Sequence, residues 1–346
     1  MNRIGNELHC TRYEYEFMKK KQRLNLFLLG IYVGCALLIY YAFSMVFVFA
    51  EELFLLSFGK QTQEFLRNDE IFDNLLYIFS AFLCMFTAFL IMRIPMRRIS
   101  RIEMGFNKPR ENTNVFSVII IGIAMCVIAN FTSYVFSALT DAVFGVVPSG
   151  ETEIVSENSE FSLLGFVMSL LATAVTPAFV EEFAFRGVIM QSLRKFGDKF
   201  AVIVTAVIFA IVHGNFVQIP FAFVVGLALG YAVIRTGSIW AGVIIHFINN
   251  AWATVMMYVY NAFGEVTYSL ISCFVTVVVC VFGIIFAVKL YKKDVSRGIT
   301  EGAMQPSRIC VLSDFGKTFF FFISPVLIIA LSIFLGFAFS SFTKGY

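Results

Sequence analysis

The residues of this chain best suited to chemistry are few, and they fall in three short sets. VEEFAFRG carries Glu181, Glu182 and Arg186, FAIVHGN carries Phe209 and His213, and HFINN carries His246, Asn249 and Asn250. Spacing within each set is helical. Glu182 and Arg186 are four apart with the acid first, the favourable order for an ion pair. Glu181 points about 100° away on the same helix and has no cation at that spacing. Phe209 and His213 share one face, as do His246 and Asn250. One acid is thus paired, and the other is left free for work beside two imidazoles.

Desolvation makes a carboxylate a better proton acceptor, so a glutamate held away from bulk water suits proton abstraction from water near neutral pH. One histidine can help hold that water. A second histidine with an asparagine, both hydrogen-bond donors, can stabilise the oxyanion formed when water attacks a peptide carbonyl. The result is hydrolysis without a covalent intermediate. A serine or cysteine nucleophile has no support: GxSxG is absent, and the cysteines avoid the histidines. Cys10, Cys35, Cys84, Cys126, Cys273, Cys280 and Cys310 are scattered without a CxxC pair, and read as small apolar residues.

The elements that must position these groups are membrane spans. The 346 residues are 59% hydrophobic and 14% charged, against roughly half and a quarter in soluble domains. The sequence predicts an all-α, polytopic helical bundle of about eight or nine spans. No stretch is long enough for a separate soluble domain. Spans begin near Leu24, Leu75, Val115 and Phe161, then run over about 201–214, 217–234, 239–260, 267–290 and 319–339. The polar, basic start predicts no cleavable leader. The net charge of +3 gives no sign of nucleic acid as a partner.

Orientation follows the Lys and Arg residues at span ends. Lys19, Lys20, Lys21 and Arg23 precede the first span, and Arg93, Arg97, Arg98, Arg101, Lys108 and Arg110 lie around the second turn. Arg194, Lys195 and Lys199 follow the fourth span, and Lys289, Lys292, Lys293 and Arg297 the eighth. All fall on one side if the N-terminus is cytoplasmic, which places the C-terminus outside. The opposite segments 51–74 and 148–160 are acid-rich, and EELFLLSF is expected as a short interfacial helix.

Depth ties the sets together. Glu181 lies on the order of 20 Å along its helix from Arg194, His213 a similar distance from Lys199, and His246 about 14 Å from Gly237. Groups at that depth face a protein interior or a wet cavity, because lipid exposure costs several kcal/mol.

In this order and membrane setting, EExxxR, FxxxH and HxxxN resemble the motifs of the CPBP family. These are the CAAX prenyl endopeptidase and bacteriocin-processing (Abi) intramembrane proteases. The resemblance spans about Phe161 to Tyr260. It implies that Glu181 is the general base, that His213 is its partner on the water, and that His246 and Asn250 form the oxyanion site. Glu182, Arg186 and Phe209 are then supporting residues. It favours a mechanism with no metal or other cofactor; the alternative is zinc on Glu181, His213 and His246. It implies membrane lipid and a peptide or membrane-protein substrate, with or without a lipid group, as partners. The expected location is an integral, multi-pass position in the cell membrane. The divisions are a basic cytoplasmic tail over 1–23, N-terminal spans over 24–150, a catalytic core over 151–265, and C-terminal spans over 266–346.

Blander readings compete. The two acids can be an ion-paired helix end, and His213 an interhelical polar contact. Asn249 is less well spaced than Asn250. Gly226 and Gly230 form a GxxxG that suits close helix packing, and Arg93 and Arg235 suit snorkelling at span ends. A proton-coupled transporter can use the same acids and imidazoles, but no second copy of EE or HxxxN marks an internal repeat. A non-catalytic scaffold of the same fold is the other alternative.

Overall fold

A computed structural model describes residues 11–100, 103–111, 113–144, 161–296 and 310–343. His9, Cys10, Arg101, Arg297 and the acid-rich segment 148–160 lie outside the described residues. Within them every regular element is helical. We number the helices α1 (Arg12–Leu56), α2 (Lys60–Arg67), α3 (Glu70–Ile99), α4 (Val115–Phe144) and α5 (Leu163–Phe196). The remainder are α6 (Asp198–Val212), α7 (Gln218–Thr236), α8 (Ile239–Ser296), α9 (Asp314–Phe322) and α10 (Pro325–Thr343).

The all-α, multi-pass membrane architecture is as the composition dictates. Among the described residues, six helices are long and apolar enough to cross a membrane, and a bent pair, α9 with α10, makes a seventh if taken as one span. Two local features account for the difference between this number and the eight or nine expected. The expected fifth span is the 15-residue α6, roughly 22 Å long at 1.5 Å per residue and short of the ~30 Å apolar core. The expected seventh and eighth spans lie on either side of Gly264, which leaves helical geometry at φ 77° and ψ 177°, and the Arg235–Asp294 pair brings the outer ends of this bent run together.

The expected interfacial helix at EELFLLSF is instead the end of α1. That helix starts at a capping box of Thr11 and Glu14 and runs 45 residues. The short amphipathic helix is α2, tied to α1 by an Arg67–Glu52 pair at 2.7 Å.

Around the core, α4 packs against α7 and α8, α6 against α7, and α1 against α3, α9 and α10. Gly226 and Gly230 allow the α6–α7 approach: a Cβ on Gly226 would lie 3.0 Å from Ala206 Cα, and one on Gly230 2.9 Å from Val202 Cγ1. Basic helix ends gather at one end of the bundle. Lys195 Nζ donates to Ile99 O at 2.7 Å, and Lys317 Nζ to Phe196 O at 3.2 Å. Arg235 pairs with Asp294 there, so it is anchored to α8 as well as placed at a span end.

Candidate active site

The site begins with a distorted helix. α5 is capped by Ser162 and contains two π-helical segments, Leu171–Val175 and Glu182–Met190, on either side of the α-helical Thr176–Glu181. Such segments re-aim the side chains that follow, and they recur at functional sites. Pro177 adds a second consequence. It has no N–H to offer the Thr173 carbonyl four residues back, and Asn250 Nδ2 donates to that carbonyl at 3.1 Å. Asn249 Nδ2 in turn donates to Asn250 Oδ1 at 3.1 Å. One N–H of the Asn250 amide is used in this way, and a carboxamide has two.

Glu182 and Arg186 form the ion pair that their spacing suggests. Arg186 Nη1 lies 2.6 Å from Glu182 Oε1, with the two side chains 1% and 0% exposed. Arg186 Nη2 also donates to Gly226 O at 3.3 Å, and the guanidinium stacks 4.4 Å from the Phe209 ring centroid. These contacts offset the desolvation that makes a lone buried charge untenable. Gly242 allows the fit from α8, since a Cβ there would come 2.5 Å from Glu182 Oε2.

His246 stands between the two acids. Its Nδ1 is 3.2 Å from Glu182 Oε1 and its Nε2 is 3.9 Å from Glu181 Oε2. A carboxylate only accepts, so Nδ1 carries a proton and Nε2 faces Glu181. Glu181 differs from its neighbour in that its side chain is 20% exposed. Its Oε2 is buried without a hydrogen-bond partner.

His213 stands at the end of its helix, within a residue of where the expected span over 201–214 stops. It caps the C-terminus of α6 in the turn to α7, where Gly214 takes the left-handed φ of 62° that ends the helix. The His213 backbone N–H bonds Ala210 O, and its Nδ1 lies 2.7 Å from Phe209 O. Nδ1 therefore donates to that carbonyl, and in the neutral ring Nε2 is the acceptor. The Phe209 ring is the common neighbour of the cluster, with His213 at 4.6 Å and His246 at 6.1 Å between ring centroids. Among the described residues, no three His, Cys, Asp or Glu side chains are grouped so that they could hold a metal ion. Glu181, His213 and His246 thus do not fit a zinc site as arranged.

Several residues near the site carried no signal in the motifs. Asn250 belongs to a polar ladder in which Thr173 Oγ1 meets Thr254 Oγ1 at 2.7 Å. Further along, Ser169 Oγ and Tyr258 OH donate to Glu70 Oε1 at 2.6 and 2.7 Å. Every link joins two of α3, α5 and α8, so only packing reveals it. Two cavities border the Glu181 segment. One, of about 90 Å³, is lined by Tyr40, Ser44, Tyr77, Ser80 and Glu181 among others. The second, of about 290 Å³, is apolar and lined chiefly by Phe82, Phe179, Trp240, Val243 and Phe247.

The fold and this buried charged cluster define a multi-pass integral membrane protein with ionisable groups from separate helices gathered inside its bundle. Residues 163–252 match the family model for type II CAAX prenyl endopeptidase Rce1-like proteins. The matched segment is about a quarter of the chain, and it holds all three motif sets. No curated protein and no solved structure matched the chain.

Proposed function

We propose that this protein is an intramembrane endopeptidase that hydrolyses a peptide bond with water activated by Glu181. A water lone pair adds to the scissile carbonyl carbon while a water proton passes to the Glu181 carboxylate. The carbonyl π electrons move to oxygen. The spare N–H of Asn250 donates to that oxyanion, and His246, held at Nδ1 by Glu182, donates from Nε2 as an imidazolium. Collapse re-forms the carbonyl and breaks the C–N bond, and the proton on Glu181 goes to the leaving amine. His213 holds the water from the opposite side through Nε2. Arg186 and Phe209 fix the supporting carboxylate and the imidazoles. No metal takes part in this scheme.

The observation that carries the reading is the buried, unpartnered Oε2 of Glu181, 3.9 Å from His246 Nε2. An unsatisfied buried carboxylate oxygen is costly unless a solvent molecule or substrate completes it. The apolar cavity beside α5 and α8 supports a substrate with a bulky apolar group near the cleaved bond, such as a prenylated CAAX-type tail or a membrane-proximal peptide.

The test is cleavage by purified wild type and Glu181→Gln against a panel of prenylated and unmodified membrane-proximal peptides. The wild type cuts at least one member. Glu181→Gln stays folded and loses at least about a hundredfold, the usual weight of a general base. Equal cleavage by both proteins overturns the assignment of the base. Activity that a chelator removes and zinc restores overturns the metal-free mechanism.

A further inference from the structure

The segment that matches the peptidase family excludes α1 and α3, yet these two helices wall the cavity on Glu181. Tyr40 and Ser44 on α1, and Tyr77 and Ser80 on α3, put hydroxyl-bearing residues on it at helical spacing. Each serine is satisfied within its own helix: Ser44 Oγ donates to Tyr40 O at 2.9 Å, and Ser80 Oγ to Tyr77 O at 2.9 Å. Ser44 also lies within hydrogen-bonding reach of the Tyr40 hydroxyl and the Cys84 thiol, which makes this wall a polar cluster. The Tyr40 ring is stacked on Phe334 of α10, with centroids 6.2 Å apart and planes 10° off parallel. This fixes where its hydroxyl points.

Polar groups inside a bilayer face protein or water, since lipid offers them no hydrogen bond. A cavity of about 90 Å³ has room for several waters. Glu181, 20% exposed and the acid the peptidase reading makes the base, is part of its lining. Three features therefore coincide: volume, hydroxyl lining and the Glu181 side chain on the wall.

We propose that this cavity is the port by which the hydrolytic water reaches Glu181, and that Tyr40 positions that water by a hydrogen bond from its hydroxyl. The proposal deepens the peptidase reading and rests on it for the role of Tyr40. The port itself can be read without any substrate. It gives α1 and α3 a function: they complete a site whose acids and imidazoles all lie on later helices.

The experiment places Ser44→Cys in the protein in native-like membranes and measures labelling by a charged, membrane-impermeant thiol reagent above the wild-type background. Val46→Cys, at an exposed apolar position on the same helix, is the lipid-facing control. Ser44→Cys labels many times faster than Val46→Cys, and its modification blocks cleavage while reagent-treated Val46→Cys remains active. Equal protection of the two overturns the port. Tyr40→Phe keeps the stacked ring and lowers kcat about tenfold, equivalent to about 1.4 kcal/mol, with KM unchanged. An unchanged kcat, or a change in KM alone, overturns the role of Tyr40. If wild type cleaves nothing, the peptidase reading and the role of Tyr40 fail together, while the labelling contrast still decides for or against the port.

Discussion

Two adjacent glutamates with opposite surroundings are the central fact at the scale of residues. Glu182 is fully buried with its Oε1 shared between Arg186 and His246, whereas Glu181 is 20% exposed and, among the described residues, pairs with no Arg or Lys; each keeps an Oε2 that meets no protein group. The two should answer mutation differently. Arg186→Met strands a buried carboxylate and is expected to destabilise the protein by about 3–5 kcal/mol. Glu181→Gln removes no ion pair with an Arg or Lys and should stay within about 1 kcal/mol of wild type. Unfolding in detergent measures both, and a similar loss in each would contradict the division between supporting and reacting acid. The i,i+4 order of Glu182 and Arg186 was legible in the sequence because both lie on one helix. That His246 would bridge both acids was not, because the contact is between α5 and α8.

At the scale of elements, the site depends on places where helices depart from regularity or approach closely. Gly242 lets α8 pass against Glu182. Gly242→Ala would press a methyl group onto that carboxylate and onto Val233 Cγ2, 3.0 Å from the added Cβ. The expected cost is about 1–3 kcal/mol, as in other overpacked cores, with a fall in cleavage as Glu182 shifts. Gly336→Ala, where a Cβ meets nothing within 4 Å, serves as the control and should leave thermal stability and activity unchanged or slightly raised. Long apolar runs announced α1, α3, α4, α5 and α7, since composition alone distinguishes a span. The π-helical stretches of α5 left no such mark, for an i→i+5 hydrogen bond has no composition of its own. The end of α6 at His213 rests on Gly214 adopting a left-handed turn, which a single glycine permits without requiring.

The whole molecule has polarity from end to end. Basic ends of α5 and of the run before α10 are tied to Ile99 and Phe196, and Arg235 to Asp294. The excess of Lys and Arg predicts that this end faces the cytoplasm. Lys20→Cys and Lys293→Cys should then react with an impermeant thiol reagent only from the cytoplasmic side, and Lys60→Cys only from the other. Labelling of all three from one side would overturn the orientation.

The sequence by itself determined the membrane class, the helical architecture, most span positions and the short list of ionisable groups. These are set by local composition and by periodicity along single helices. Only the tertiary structure decided which nitrogen of His246 meets which glutamate, that Thr173 receives Asn250, and that α1 and α3 border Glu181. Each of those is a contact between segments far apart in the chain, fixed by how helices pack and not by the residues of any one of them.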